Sequence, residues 1–256
     1  MIDIHCHILF GLDDGPSTFE DSLAMAESAI ADGITHVVAT PHSSNEYRFD
    51  YPLVQQRRHE LQERLGDRLT LATGCDFHLN PENLEALRRD SSSFCINQHD
   101  YLLVEFNEIS IPPAMDQALH NLQLMGIRPI ITHPERNGIL RAHPERLKKW
   151  VSTGCSVQVT GGSLTGGFGE GSQKDAWQWI GDGLVHFVAS DAHRPNRRPL
   201  ELSPYYRLVA EQFGEEKAQG LFLENPRAAF HGNPLPYVPD IPEEPVSQRK
   251  KRFFFF

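Results

Sequence analysis

The 256-residue chain is 39% hydrophobic, enough to fill a substantial core in one large domain or two small ones. Its 34 acidic and 24 basic side chains leave a formal charge of -10, which argues against a broad electrostatic grip on nucleic-acid phosphates. No apolar run is long enough to span a bilayer, no basic and apolar leader opens the chain, and its four cysteines form no CxxC pair, so a protein of the reducing cytoplasm is expected, without transmembrane segment, disulfide framework or zinc knuckle.

Seven short apolar runs, residues 2–4, 34–39, 69–73, 101–104, 128–132, 155–159 and 185–189, predict strands. Several are β-branched at consecutive positions, as strands buried on both faces of a parallel sheet require. Helix-like stretches separate them. The first, 17–32, places Thr18 and Asp21 near its start, carries an apolar stripe of Leu23, Ala26, Ala29 and Ile30, and stops at Gly33. Similar patterns cover 53–65, 81–89, 113–125, 144–153 and 173–181, and a last helical stretch, 204–223, is expected outside the sheet. This alternation predicts βα units around a parallel sheet, closed as a barrel or left open. No compositional break precedes Gly232, so 1–232 is read as one α/β domain. Residues 233–256 are Pro-rich, then basic, then end in four phenylalanines, and read as an extended, docked or disordered appendage.

In a βα barrel the loops leaving the C-terminal strand ends converge on one face. The residues following the predicted strands are His5 and His7, His42, Asp76, Glu105, His133, and Asp191 with His193; only the sixth strand has no metal-ligating type there. Packing favours apolar groups at strand ends, and carboxylates gathered there repel one another unless cations lie among them. His5-Cys6-His7 has the period-two spacing that turns both imidazoles to one face of a strand, although two such histidines alone are equally common on a surface. Asp13-Asp14-Gly15-Pro16 reads first as a turn, and only the neighbouring histidine pair suggests that Asp14 also faces a cation. His-Pro-Glu-Arg occurs twice; His133 follows a strand, whereas His143 precedes Pro144 at a helix start and is expected on the surface. Arg194, Arg197 and Arg198 follow Asp191 and His193, either as a solvated basic loop or as phosphate-binding groups. The glycine-rich 161–169 is no Walker loop and reads as a flexible loop or a substrate-facing lid.

The ordered stretches IDIHCHILFGLDDGP, VVATPH, YLLVEF, ITHPERN, QVTGGSLTGGFG and SDAHRP span residues 2–199. As a set they resemble the PHP (polymerase and histidinol phosphatase) superfamily, and within it the bacterial manganese-dependent tyrosine phosphatases of capsule and exopolysaccharide operons. The resemblance implies a distorted (β/α)7 barrel holding three divalent ions. By position, His5, His7 and Asp191 would hold one ion together with a bridging carboxylate, Glu105 and His133 a second, and Asp14, His42 and His193 a third. The family's bridging Glu is replaced here by Asp76, one methylene shorter. Arg136 and Arg198 would hold phosphate oxygens. Manganese is favoured by the resemblance, while the oxygen and nitrogen donors also suit Fe, Mg or Zn. The implied substrate is a tyrosine-phosphorylated protein, a membrane-associated kinase governing polysaccharide export; an oligomer is compatible with the sequence, which specifies none. Two other readings stand beside this one: a small-molecule phosphatase of the histidinol-phosphate kind, and a non-catalytic metal-binding module that docks on a partner. A Cys-dependent phosphatase is excluded, since no cysteine begins a Cys-x5-Arg loop.

Overall fold

Short strands with apolar residues on both faces can be buried only if helices cover one side and other strands the other. The computed structural model, which describes residues 1–239, satisfies both demands. Among the described residues nine strand segments form: β1 (Ile2–Cys6), β2 (His36–Ala39), β3 (His42–Ser43), β4 (Thr70–Thr73), β5 (Asp76–His78), β6 (Tyr101–Glu105), β7 (Arg128–Thr132), β8 (Ser156–Thr160) and β9 (Phe187–Ala189). They amount to seven passes, because β2 with β3, and β4 with β5, are single passes interrupted by two residues. Pro41 lies in the first break. It has no N–H to give to the ladder, yet its carbonyl accepts from Asp76 N at 3.2 Å and keeps the interrupted passes in register.

Every ladder is parallel, in the orders β1-β2-β4 and β3-β5-β6-β7-β8-β9. Residues 190–192 close the ring against β1: Asp191 N donates to His5 O at 2.9 Å, and His7 N donates to Ala192 O at 2.9 Å. The result is a distorted (β/α) barrel of seven passes. The helices joining these passes are α1 (Phe19–Ala31), α2 (Tyr51–Leu65), α3 (Pro81–Arg89), α4 (Ala114–Leu124), α5 (Gly138–Ala142), α6 (Pro144–Ser152), α7 (Gly161–Leu164) and α8 (Glu170–Gly181). Thr18 caps α1 by accepting from Asp21 N at 3.2 Å, and the Asp21 carboxylate accepts the Thr18 hydroxyl in return.

The expected helix over 204–223 is divided. Gly214, at φ 92°, ends α9 (Ser203–Phe213) and begins α10 (Glu215–Gln219); a π-helical turn, Gly220–Glu224, and α11 (Asn225–Phe230) follow. A periodic apolar pattern survives such a break, which is why the pattern alone reads as one helix.

Two apolar layers result. Ile2, Ile4, Val38, Ala72, Leu103, Ile130, Phe187 and Ala189 fill the barrel interior, while Val37, Phe77, Val104, Ile131, Val159 and Val188 pack with the helices. Full burial of one such side chain contributes about 1.5–3 kcal/mol. β8 has no residue in the inner layer: Val157 and Val159 face the helices, and Gln158 takes the inward direction. A register shift between Asp3 and Cys6 moves Cys6 into the outer layer, although it lies two residues beyond the inner Ile4.

The first residues of the Pro-rich stretch pack on the barrel: Tyr101 and Arg128 donate to Asn233 O, and the Asn225 amide brackets the Tyr237 backbone. The basic and phenylalanine-rich remainder, residues 240–256, lies outside the described residues.

Candidate metal centre

The ends of β1, β3, β5 and β6 and the loops after β7 and β9 bring all nine sequence-predicted ligands together. Five overlapping groups form within which the ligand atoms lie no more than 4.8 Å apart: His7, Asp14, His42 and His193; His5, His7 and Asp76; His5, His133 and Asp191; His42, His78 and Glu105; and Asp76, Glu105 and His133. The separations are informative. His5 Nε2 is 3.5 Å from Asp76 Oδ2 and 3.5 Å from Asp191 Oδ1, His42 Nδ1 is 3.2 Å from Asp76 Oδ2, and His193 Nε2 is 3.3 Å from Asp14 Oδ1. Two donors each about 2.1 Å from one ion lie roughly 3.0–3.5 Å apart.

Several of the donor atoms are also buried without hydrogen-bond partners. His5 Nε2, His7 Nε2, His42 Nδ1 and both Asp76 oxygens are orphaned in this way. An unpartnered buried polar group is costly, so five orphans among the overlapping ligand groups fit a set of cations.

Three of the imidazoles are oriented by their other nitrogen. His5 Nδ1 donates to Gln158 Oε1 at 2.9 Å, His7 Nδ1 to Asp13 Oδ2 at 2.7 Å, and His193 Nδ1 to the Asp191 carbonyl at 2.9 Å. These bonds select the tautomer whose Nε2 lone pair faces the centre. Asp13 also accepts from His42 N at 3.0 Å and from Gly15 N at 2.9 Å. A Cβ on Gly15 would stand 2.5 Å from the His7 carbonyl oxygen, so the Asp-Asp-Gly turn reaches the centre only with glycine there.

The charges compensate one another. Burial disfavours a charged His7, but Asp13 outweighs it and pushes the imidazole up to about 9. Burial would raise the Asp191 carboxyl, yet His5, Arg136, His7 and Arg198 hold it well below the usual carboxylate range. Glu105 is raised by burial and by the Asp76 charge. Three residues of the centre have left-handed backbones that side chains rarely adopt: His133 at φ 31°, Asp191 at φ 50° and Arg198 at φ 62°.

Both predicted arginines reach the same place. Arg136 and Arg198 each donate to Asp191 Oδ2, and both guanidiniums lie over the ring of Phe168, at 4.4 Å and 5.4 Å from its centroid. Arg194 and Arg197 line a separate surface cleft. His143, the second His-Pro-Glu-Arg histidine, is exposed and pairs with Glu145.

Four contributors escaped the sequence reading. His78 lies in a ligand group and contacts Glu105, and Asp76-Phe77-His78 has the same period-two spacing as His5-Cys6-His7. Asp13 was hidden by its turn role. Gln158 had no local signal, because an inward glutamine on a strand resembles any polar strand residue. Phe168 was legible only as part of a glycine-rich loop. All four cysteines are free and buried, and burial raises every thiol, Cys95 and Cys155 to about 12, which disfavours a thiolate nucleophile.

Residues 1–231 match the family described as capsular polysaccharide synthesis, CpsB/CapC. The chain belongs to the CpsB/CapC family. Its relatives in that family include the tyrosine-protein phosphatase YwqE of Bacillus subtilis (strain 168), 33% identical over 259 residues that cover 100% of both chains. The tyrosine-protein phosphatase CpsB of Streptococcus pneumoniae is 31% identical over 238 residues, covering 89% of this chain and 97% of that one. A solved structure described as a unique metal-dependent tyrosine phosphatase, from work on Bacillus subtilis YwqE and Streptococcus pneumoniae CpsB, superposes with a TM-score of 0.86 at 32% identity, covering 95% of this chain and 100% of that one. Histidinol phosphate phosphatase from Lactococcus lactis shares the fold at a TM-score of 0.53 and 13% identity, covering 87% and 95% of the two chains.

Proposed function

We propose that this CpsB/CapC-family chain is a metal-dependent phosphoester hydrolase that dephosphorylates phosphotyrosine in proteins, its substrate being a membrane-associated tyrosine kinase of polysaccharide synthesis. The observation that carries the reading is the set of candidate donor atoms that converge from six passes of the barrel, those of His5, His7, His42 and Asp76 being buried without hydrogen-bond partners. His5, His7, Asp14, His42, Asp76, Glu105, His133, Asp191 and His193 are the proposed ligands, with His78 added beside His42 and Glu105. Six of these ten belong to two groups each, which favours three shared ions over five separate ones. Manganese is the proposed metal.

Bound divalent ions would polarise a phosphoryl oxygen and lower the pKa of attacking water. The chain's own residues supply orientation and charge. Arg136 and Arg198 converge on the centre and keep further N–H donors for phosphoryl oxygens. Gln158, Asp13 and the Asp191 carbonyl hold three imidazoles in position. A phenolate leaving group, of parent pKa about 10, depends less on a general acid than an alkoxide does. Residues 1–232 are assigned to catalysis and 233–256 to an appendage. No helix among the described residues is long and apolar enough to cross a membrane, and the reading places the enzyme in the cytoplasm.

The test is exhaustive chelation followed by reconstitution with Mn, Fe, Mg or Zn and assay on phosphotyrosine peptide, phosphoserine peptide and histidinol phosphate. Activity should vanish, return best with Mn, and be greatest on phosphotyrosine. The His78→Ala and Asp76→Ala variants should lose metal by elemental analysis, and Asp76→Glu should keep it. Full activity after chelation sinks the metal reading, and faster turnover of histidinol phosphate transfers the assignment to a small-molecule phosphatase.

A further inference from the structure

Beside the metal centre lies a cavity of about 380 Å³, within the usual range for ligand clefts of about 300–1,000 Å³. His42, His78 and Glu105 form its floor, so it opens directly onto the proposed ligands. Two built turns form its walls. On one side the Ser44 hydroxyl accepts from Glu46 N at 3.2 Å and Tyr47 N at 3.1 Å, and the Tyr47 ring lies nearly parallel to His42, 15° between planes and 5.9 Å between centroids. On the other side the Asn137 amide donates to Phe106 O and Asn107 O, while Asn107 Oδ1 accepts from Ile109 N at 2.8 Å. This second turn holds Ile109 out at the rim, 89% exposed. Ile109 thus offers apolar atoms to an extended ligand entering the cavity.

The electrostatics of the rim are one-sided. Glu46 and Glu108 line the cavity and belong to none of the ligand groups, and no Lys or Arg lines it. Such a rim repels a phosphate lying on it and leaves the phosphate to the arginine side of the centre, while it attracts cationic side chains.

We propose that this cavity and rim form a docking groove for an extended phosphotyrosyl segment bearing Lys or Arg beside the phosphorylated residue. Tyr47 flanks the substrate phenol, Ile109 packs on the peptide's apolar atoms, and Glu46 and Glu108 pair with its cations. The proposal rests on the phosphotyrosine reading above and adds the sequence context of the substrate.

The experiment uses the full, metal-loaded chain and three substrates: two phosphotyrosine peptides of equal length, one flanked by Lys and one by Glu, and p-nitrophenyl phosphate. At low ionic strength the Lys-flanked peptide should have the higher kcat/KM, by about threefold to fivefold per charge pair, and the preference should shrink with added salt. Charge reversal in Glu46→Lys combined with Glu108→Lys should invert the preference. Ile109→Ser should lower the ratio of peptide to p-nitrophenyl phosphate kcat/KM for both peptides, mainly through KM. Equal turnover of the two peptides by the wild-type chain, or an unchanged preference after charge reversal, would overturn the proposal and leave the phosphotyrosine reading standing. Hydrolysis of p-nitrophenyl phosphate with neither peptide turned over would overturn both.

Discussion

Phe168 joins the two arginines that face the metal centre. Arg136 and Arg198 carry like charges and converge on one Asp191 oxygen, an arrangement that repulsion alone would spread apart. The face of an aromatic ring is electron-rich, and both guanidiniums lie over the Phe168 ring. The ring therefore sets the spacing of the proposed phosphate-binding pair. Replacing Phe168 by Leu should keep apolar bulk and lose the attraction, lowering kcat/KM for phosphotyrosine peptide by about fivefold, from roughly 1 kcal/mol of cation–π energy. Phe168→Trp should retain most activity, and metal content should be unchanged in both. Equal kinetics for the Leu and wild-type proteins would reduce Phe168 to loop packing.

At the scale of elements, the residue just before β9 is a buried titratable group away from the metal centre, bonded to β8. His186 Nδ1 accepts from Val157 N at 3.3 Å, which requires a neutral ring, and burial lowers its pKa to about 4. An unfolded histidine titrates near 6.5, so between about pH 6.5 and pH 4 the unfolded chain binds a proton that the folded chain refuses. Stability is therefore intact above about pH 6.5 and falls as pH drops toward 4, by on the order of 3 kcal/mol from this residue. Thermal unfolding with chelator present, measured from pH 7.5 to pH 4.5, should show a shallower acid decline for His186→Gln than for wild type. Parallel declines would assign the acid sensitivity to other groups. The divided passes act at the same scale: each break lets a strand end twice, so β3 adds His42 and β5 adds Asp76 and His78.

For the whole molecule, metal binding and barrel closure are linked. His5 stands on the first strand and Asp191 just after the last, and they come within 3.5 Å because residues 190–192 pair with β1. Ions held by both ends bind only the closed form, and a ligand specific for the folded state stabilises it by about 2.7 kcal/mol at 100 times its Kd. Chelation should therefore lower Tm by several degrees, with recovery on adding Mn in proportion to site occupancy. The apolar core should keep the chelated protein folded, since the inner and outer layers are built from apolar side chains other than the ligands. An identical Tm with chelator and with Mn would separate the ligand cluster from closure.

Local chemistry is written locally, and that part the sequence determined alone. Seven strand passes follow from seven apolar runs, and eight of the nine candidate ligands follow from His and carboxylates at the ends of those runs, Asp14 being suggested only by the histidine pair before it, because strand periodicity and strand ends involve only neighbours in sequence. His78 belonged to this legible part, since its two-residue spacing from Asp76 repeats that of His5 and His7. Partnership across the barrel was decided only in three dimensions. That Gln158 orients His5, that Arg198 and not Arg197 turns onto Asp191, and that Phe168 backs both arginines depend on ring closure and on left-handed backbones at Asp191 and Arg198. Only the first of these joins residues more than a hundred positions apart, and Arg198 lies 7 positions from Asp191, but none of the three is set by strand or helix periodicity. The strain that aims these side chains is held in place by the closed barrel around them.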